Sequence, residues 1–236
     1  MEPRSEHRMM LGTDIERYSD RNGSDQNRLQ WALVSSLTQA ATAAKLAFPE
    51  WECQPQGDGQ FVVLPVSTDR YAVLGAFITA LAEAVAAQQT ATFRVRMRLS
   101  VHEGPIQLDG PNGYPGDHAV QTNRLVGAQS LRAALAACPE AWLGVIISDR
   151  VFADYVGQRP GGPPRDQFRR VDVAEKNQRY VAYLHLPGHN VHALDLASAP
   201  PANPPGGAAG PVYNFSGTGS NVAVHGDQTN HQTFRS

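Results

Sequence analysis

Cysteine is scarce: the 236-residue chain holds two, Cys53 and Cys138. That number excludes a disulfide framework, and the wide gap between the two excludes a cysteine-based metal spacing. Each lies in an apolar stretch and is expected to act as a small core residue in a reducing compartment. An excess of either charge is missing as well. Lys and Arg total 20 against 22 Asp and Glu, a net charge of −2, with a pI near 6.4. This gives no electrostatic case for a nucleic acid or a membrane surface as partner. No stretch approaches the roughly 18 uninterrupted apolar residues of a membrane span. The opening MEPRSEHRMM lacks the apolar core of a signal peptide, so a cytoplasmic location is expected. There is no Ser-His-Asp, nucleophilic-cysteine or P-loop pattern, and no internal repeat.

What is present is an ordinary apolar share of 42%, enough for one packed domain with a tail. Residues 1–190 alternate apolar strands and helices, and this part is the expected domain. Residues 191–211, with the run ASAPPANPPGGAAGP, are too rich in Pro and Gly to fold and read as a linker. Residues 212–236 form a polar tail with aromatic and Val punctuation.

Within the domain, Arg8–Ile15 reads as a strand ending at Asp14. Residues 22–48 read as a helix with Leu29, Leu33 and Leu37 on one stripe, stopped by Pro49. Trp51–Gln56 and Gln60–Val66 are strand-like runs joined at Gly57-Asp58-Gly59, a hairpin signal. Asp69 can cap a helix whose Leu74, Phe77, Ile78, Leu81 and Val85 share a face. Arg94, Arg96 and Arg98 alternate with Val95, Met97 and Leu99, the period of a strand with one polar face inside Phe93–His102. A helix over 119–137, a buried strand over 142–147, a short helix over 149–156 and two closing strands, 168–173 and 180–186, complete the order. This is an α/β (α+β) pattern whose opening β-α-β-β-α-β unit matches ferredoxin-like sheets, a mixed or antiparallel sheet with helices on one face.

Phosphoryl chemistry requires a divalent cation held by carboxylates, which neutralises charge on the reacting phosphates. Asp14 at a strand end and Asp58 in a tight hairpin could supply them, while Gly57 and Gly59 let the backbone approach a nucleotide. Alone, Gly-Asp-Gly is a turn, and a single strand-end Asp is a cap.

The order of motifs adds more. Asp14-Ile15-Glu16-Arg17-Tyr18-Ser19 fits D-I-x-x-[FY]-[ST], and Arg98 to Ile106 looks like R-x-G-[IV]-H-x-G-[PE]-[VI]. Gly116-Asp117, with Arg124-Leu125 beyond, sits like G-D-x-V-N-x-A-A-R-L. Over residues 8–186 the chain resembles the class III adenylyl/guanylyl cyclase catalytic domain. The resemblance implies a nucleotidyl cyclase fold and an NTP substrate. It implies Mg²⁺ or Mn²⁺ at a two-metal site on Asp14 and Asp58, nucleotide contacts at Ile15, Gly57 and Gln54, and Arg124 as the catalytic group. It also implies a homodimer, with the Asp pair from one protomer and the Arg from the other. Ser148 and Lys176 fall where the family has a late strand-end Ser and a loop Lys. His102 matches the family's His and is expected to be structural, and no metal site is expected at His185, His189 and His192.

Three positions depart from the pattern. Gln54 replaces the base-reading Lys, Gly113 replaces its partner, and Val120 replaces the Asn that hydrogen-bonds the ribose. The alternative to an active cyclase is therefore a degenerate nucleotide-sensing adaptor. In the tail, NVAVHGDQTN alternates Val and mixes Gly with Asn and Gln, which suits in-register stacking. It resembles RHIM-like amyloid-signalling motifs, which implies bacterial signalling or defence and an effector with a matching tail.

Overall fold

A computed structural model of the chain describes residues 5–159, 162–175 and 178–197. Seven strands form one sheet, β1 (Ser5–Ile15), β2 (Glu52–Pro55), β3 (Gly59–Val63), β4 (Met97–Gln107), β5 (Leu143–Ser148), β6 (Arg169–Glu175) and β7 (Gln178–His185). Their spatial order is β2-β3-β1-β4-β5-β7-β6. Every pairing is antiparallel except β4 with β5, which is parallel. The first four strands, in the order β2-β3-β1-β4, are the ferredoxin-like unit expected from the sequence.

The helices are α1 (Gly23–Ala43), α2 (Arg70–Ala72), α3 (Ile78–Ala87), α4 (Asp117–Val126), α5 (Gln129–Ala137) and α6 (Asp149–Tyr155). A π-helical turn over Val73–Phe77 joins α2 to α3. Asn22 caps α1, its side chain accepting from the Asp25 amide, and Asp69 caps α2 in the same way. The expected leucine stripe of α1 is buried at Leu29, Leu33 and Leu37. It packs with Phe77, Ile78, Leu81 and Val85 against Met9, Leu11, Ile15, Val62, Leu99 and Val145 of the sheet. Full burial of each such side chain contributes about 1.5–3 kcal/mol. The stretch Arg70–Ala87 has the length and apolarity of a membrane span, and the same residues supply this core.

The second face is also covered. Leu125, Leu131, Ala134 and Leu135 of α4 and α5 pack on Ile146, Ala182 and Leu184. Met10, Phe61, Val63 and Ile106 meet Ala119 beside them. The opening unit keeps its helices on one face, as expected, and α4 and α5 form a layer on the other. Val191 is buried in that second cluster, with Leu194 and Leu196 packed against it.

Several boundaries move. The helix expected over 119–137 is two, because Gly127 ends α4 and Ala128 adopts an extended backbone before α5. The first helix stops at Ala43 rather than 48, where Lys45 takes a left-handed φ of 57°. Pro49 lies beyond it in a 3₁₀ turn. The strand expected from Phe93 begins at Met97. Cys138 is buried as expected, but Cys53 is exposed, because β2 is the sheet edge. Most of the expected linker and the whole tail, including its resemblance to an assembly motif, lie outside the described residues.

Candidate functional site

The site begins at the C-terminal end of β1, where Asp14 stands opposite Gly59 of β3 and Arg98 of β4. The β2–β3 hairpin turns over Gln56–Gly59, and its tip is tied to β1. The Ile15 amide donates to the Asp58 carbonyl at 2.9 Å, and the Thr13 hydroxyl accepts from the Gln60 amide at 2.8 Å. From the side, Gln30 of α1 donates to the Gly57 carbonyl at 3.1 Å and to the Tyr18 hydroxyl at 2.8 Å. The two glycines have different reasons. Gly57 has φ +79° in open space, and a Cβ on Gly59 would lie 1.8 Å from the Thr13 carbonyl oxygen. The first needs a left-handed turn and the second a close backbone approach.

This clamp brings Asp58 close enough to Asp14 for their charges to interact. Burial, chiefly, pushes the Asp14 carboxyl up to about 6. The Arg98 guanidinium opposes the rise, Asp58 adds to it, and Arg132 of α5 opposes it more weakly. Arg98 donates from Nη2 to Asp14 Oδ1. The polar face expected of the arginine row is largely covered at Arg96 and Arg98. Arg98 has a side chain only 9% exposed, and Arg96 turns inward to pair with Glu16 at 3.0 Å and donate to the carbonyls of Leu135, Cys138 and Ala141. Sequence alternation gave the strand period, but the antiparallel β1–β4 register that sets Arg98 against Asp14 is a long-range fact.

No group of three or more His, Cys, Asp or Glu side chains gathers among the described residues. A cation here would thus rest on two carboxylates with main-chain oxygens. Hard oxygen donors suit Mg²⁺ or Mn²⁺, and two mutually repelling carboxylates at a buried strand end fit a divalent charge.

The other expected residues fall into two places. Gln54 of β2 lies against Gly113, where a Cβ would come 2.8 Å from both amide atoms of Gln54. The two positions that the resemblance pairs are thus adjacent, in a loop where Tyr114 also donates to Glu52 at 2.8 Å. Ile15 is the residue after Asp14, with its side chain buried in the α1-side core. Arg124 on α4 hydrogen-bonds Gln178 and, at 2.7 Å, Tyr180, not either carboxylate. One turn earlier Val120 is 43% exposed. Lys176 lies outside the described residues.

A buried polar chain that the sequence did not reveal runs beside the site. His102 Nδ1 contacts the Ser148 hydroxyl and His102 Nε2 contacts His118 Nδ1, both at 2.8 Å. His118 precedes the apolar positions of α4 and had no spacing signal linking it to β4. Burial is the main cause pushing His102 down to about 3, and it lowers His118 as well.

No family model and no curated protein matches the chain. Solved structures do. An adenylate/guanylate cyclase/hydrolase from Silicibacter pomeroyi has a TM-score of 0.55 at 17% identity, covering 78% of this chain and 98% of its own. The guanylate cyclase domain of RhGC from Catenaria anguillulae in complex with GTP has a TM-score of 0.52 at 15% identity, covering 77% and 97%. The dimeric guanylyl cyclase domain of the RhoGC fusion protein from Blastocladiella emersonii has a TM-score of 0.51 at 14% identity, covering 78% and 98%. The chain therefore has the fold of adenylyl and guanylyl cyclase domains.

Proposed function

We propose that the chain is a nucleotidyl cyclase domain that converts a nucleoside triphosphate to a 3′,5′-cyclic nucleotide and pyrophosphate. The observation that best supports this is the clamp joining Asp14 and Asp58 at a central strand end, in a chain with the cyclase-domain fold. In the reaction the ribose 3′-oxygen bonds to the α-phosphorus, the bond from that phosphorus to the bridging oxygen breaks, and the hydroxyl proton passes to solvent. Mg²⁺ or Mn²⁺ bound at Asp14 and Asp58 would supply charge neutralisation on the triphosphate. The protein's own part is placement: the Ile15 main chain and Gly57 admit the nucleotide closely, and Gln54 faces its base. Arg124, bonded away from both carboxylates, acts in this reading on the phosphates held by a second copy, so the working unit is a homodimer.

One observation favours a second reading. Val120 places an exposed apolar side chain where the resemblance expects a hydrogen-bonding Asn. A degenerate, nucleotide-sensing adaptor would tolerate it, with output by amyloid-like assembly of residues 212–236 onto an effector bearing a matching tail, in bacterial signalling or defence. The test is incubation of the full chain with each of the four NTPs and Mg²⁺ or Mn²⁺, assayed for cyclic nucleotide and pyrophosphate. Product from at least one NTP, falling about 100-fold in Asp58→Asn, is expected. Product unchanged in that variant sinks the assignment of the site, and no product from any NTP leaves the adaptor reading.

A further inference from the structure

The Asp14 carboxylate already has a cation. Arg98 stands directly opposite it in the β1–β4 register, and Nη2 donates to Asp14 Oδ1. The Arg98 side chain is 9% exposed, and its Nε and Nη1 are enclosed with no hydrogen-bond acceptor among the described residues. A buried structural arginine ordinarily uses its whole donor fork, and an enclosed N–H without an acceptor is destabilising. Arginine cannot shed its proton to escape this. Among the described residues its side chain is therefore anchored by one hydrogen bond, to a carboxylate that also feels the charge of Asp58.

We infer that Arg98 is a built-in counter-ion of the metal seat, one that holds Asp14 before a divalent cation arrives and must yield its carboxylate oxygen when the cation binds. This rests on the reading of Asp14 and Asp58 as that seat. Arg98 is on this account a positioning residue. It keeps two like charges assembled in the cation-free protein, and it competes with the cation for one oxygen. Two positive charges on one carboxylate repel, so the coupling between them is negative and reciprocal.

The experiment is Mn²⁺ binding to the full chain, followed by the electron paramagnetic resonance signal of free Mn²⁺, with thermal melts in chelator and in saturating Mn²⁺. Arg98→Met is expected to bind Mn²⁺ about tenfold more tightly than the parent, an ordinary size for ligands coupled through one site. It should melt lower in chelator and gain more from Mn²⁺. Arg98→Lys keeps the charge without the fork and should fall between, and it carries the test if the Met variant does not fold. Equal or weaker Mn²⁺ binding in a folded Arg98 variant overturns the inference while leaving the seat intact. Mn²⁺ binding by the parent that persists unchanged in Asp14→Asn and Asp58→Asn overturns the seat, and the inference with it.

Discussion

Gly59→Ala should destabilise the domain, although the same substitution usually stabilises an exposed loop. Removing a glycine ordinarily gains about 0.4–1 kcal/mol by restricting the unfolded chain. At Gly59 the added Cβ would sit 1.8 Å from the Thr13 carbonyl oxygen and 2.7 Å from its carbon. The shorter distance is roughly half an ordinary separation of about 3.5 Å, and the obstacle is backbone, which cannot rotate away. The hairpin must back off β1, breaking the Ile15–Asp58 main-chain bond and the Thr13–Gln60 bond. At about 0.5–1.5 kcal/mol each, with strain added, the net loss is about 2–3 kcal/mol. For a domain of this size that lowers Tm by about 5–10 °C. Two other glycines serve as controls. Gly57→Ala meets open space but must hold φ +79°, a loss of about 1 kcal/mol. Gly75→Ala, within the π-helical turn and with nothing within 4 Å, should be neutral or gain up to about 1 kcal/mol. Thermal melts of the three variants decide the matter. A Gly59→Ala melt within about 2 °C of the parent, or no worse than Gly75→Ala, would refute the claim that close approach to β1 fixes this hairpin.

The buried His102 predicts acid sensitivity. Its folded pKa of about 3 lies below the usual 6.5, so its contribution is complete above pH 6.5 and is lost as pH falls from there toward 3; by pH 5 this amounts to about 2 kcal/mol. His118, also lowered, adds in the same direction, and the charges facing the pair are His7, Arg150 and Asp117. Urea unfolding at pH 7 and pH 5 should show the loss, and should show less of it in His102→Gln; an equal loss in that variant would rule out His102 as the source. On the cyclase reading, Val120→Asn, which places a hydrogen-bonding group at an exposed position, should raise the rate of cyclic-nucleotide formation roughly tenfold, measured as product per protein per unit time. No rise in a folded variant would mean that Val120 does not limit turnover.

The sheet's opening unit was legible because each element carried a local cue. Leu29, Leu33 and Leu37 marked a buried stripe, Asp69 marked a cap, and Gly57-Asp58-Gly59 marked a turn. The break between α4 and α5 was not, since Gly127 within an alanine-rich run carries no strong stop signal. The site divided along the same line. Asp14 and Asp58 could be named from spacing and resemblance, and Gln54 and Gly113 do prove adjacent. For Arg98 the sequence showed only a shared polar face, because a period of two says that residues share a face without saying whether that face is covered. Here α4 and α5 cover it. The His102–His118 contact joins residues from β4 and α4, and no local pattern encodes such a pairing.

The covered face also explains why the site needs its buried polar neighbours. Along β1, Met9, Leu11 and Ile15 enter the α1-side core, whereas Met10 packs beneath α4. Gly12, next in that lane, has the Ser100 hydroxyl and the Thr122 carbonyl against it, and Asp14 ends it. Ser100 donates to the Thr122 carbonyl at 2.8 Å, and Thr122 donates back to the His118 carbonyl at 2.8 Å. His118 closes on His102, and His102 on Ser148. These bonds fix the backbone of α4 against the same strands that carry Asp14 and Arg98. A helix held only by apolar contacts could slide on the sheet, whereas directional bonds between buried groups specify one position. The helix so fixed presents Val120 and Arg124, one turn apart. The seat of that helix on the sheet is thus set by Ser100, His102 and His118, while the Arg124 side chain is held in turn by Gln178 and Tyr180.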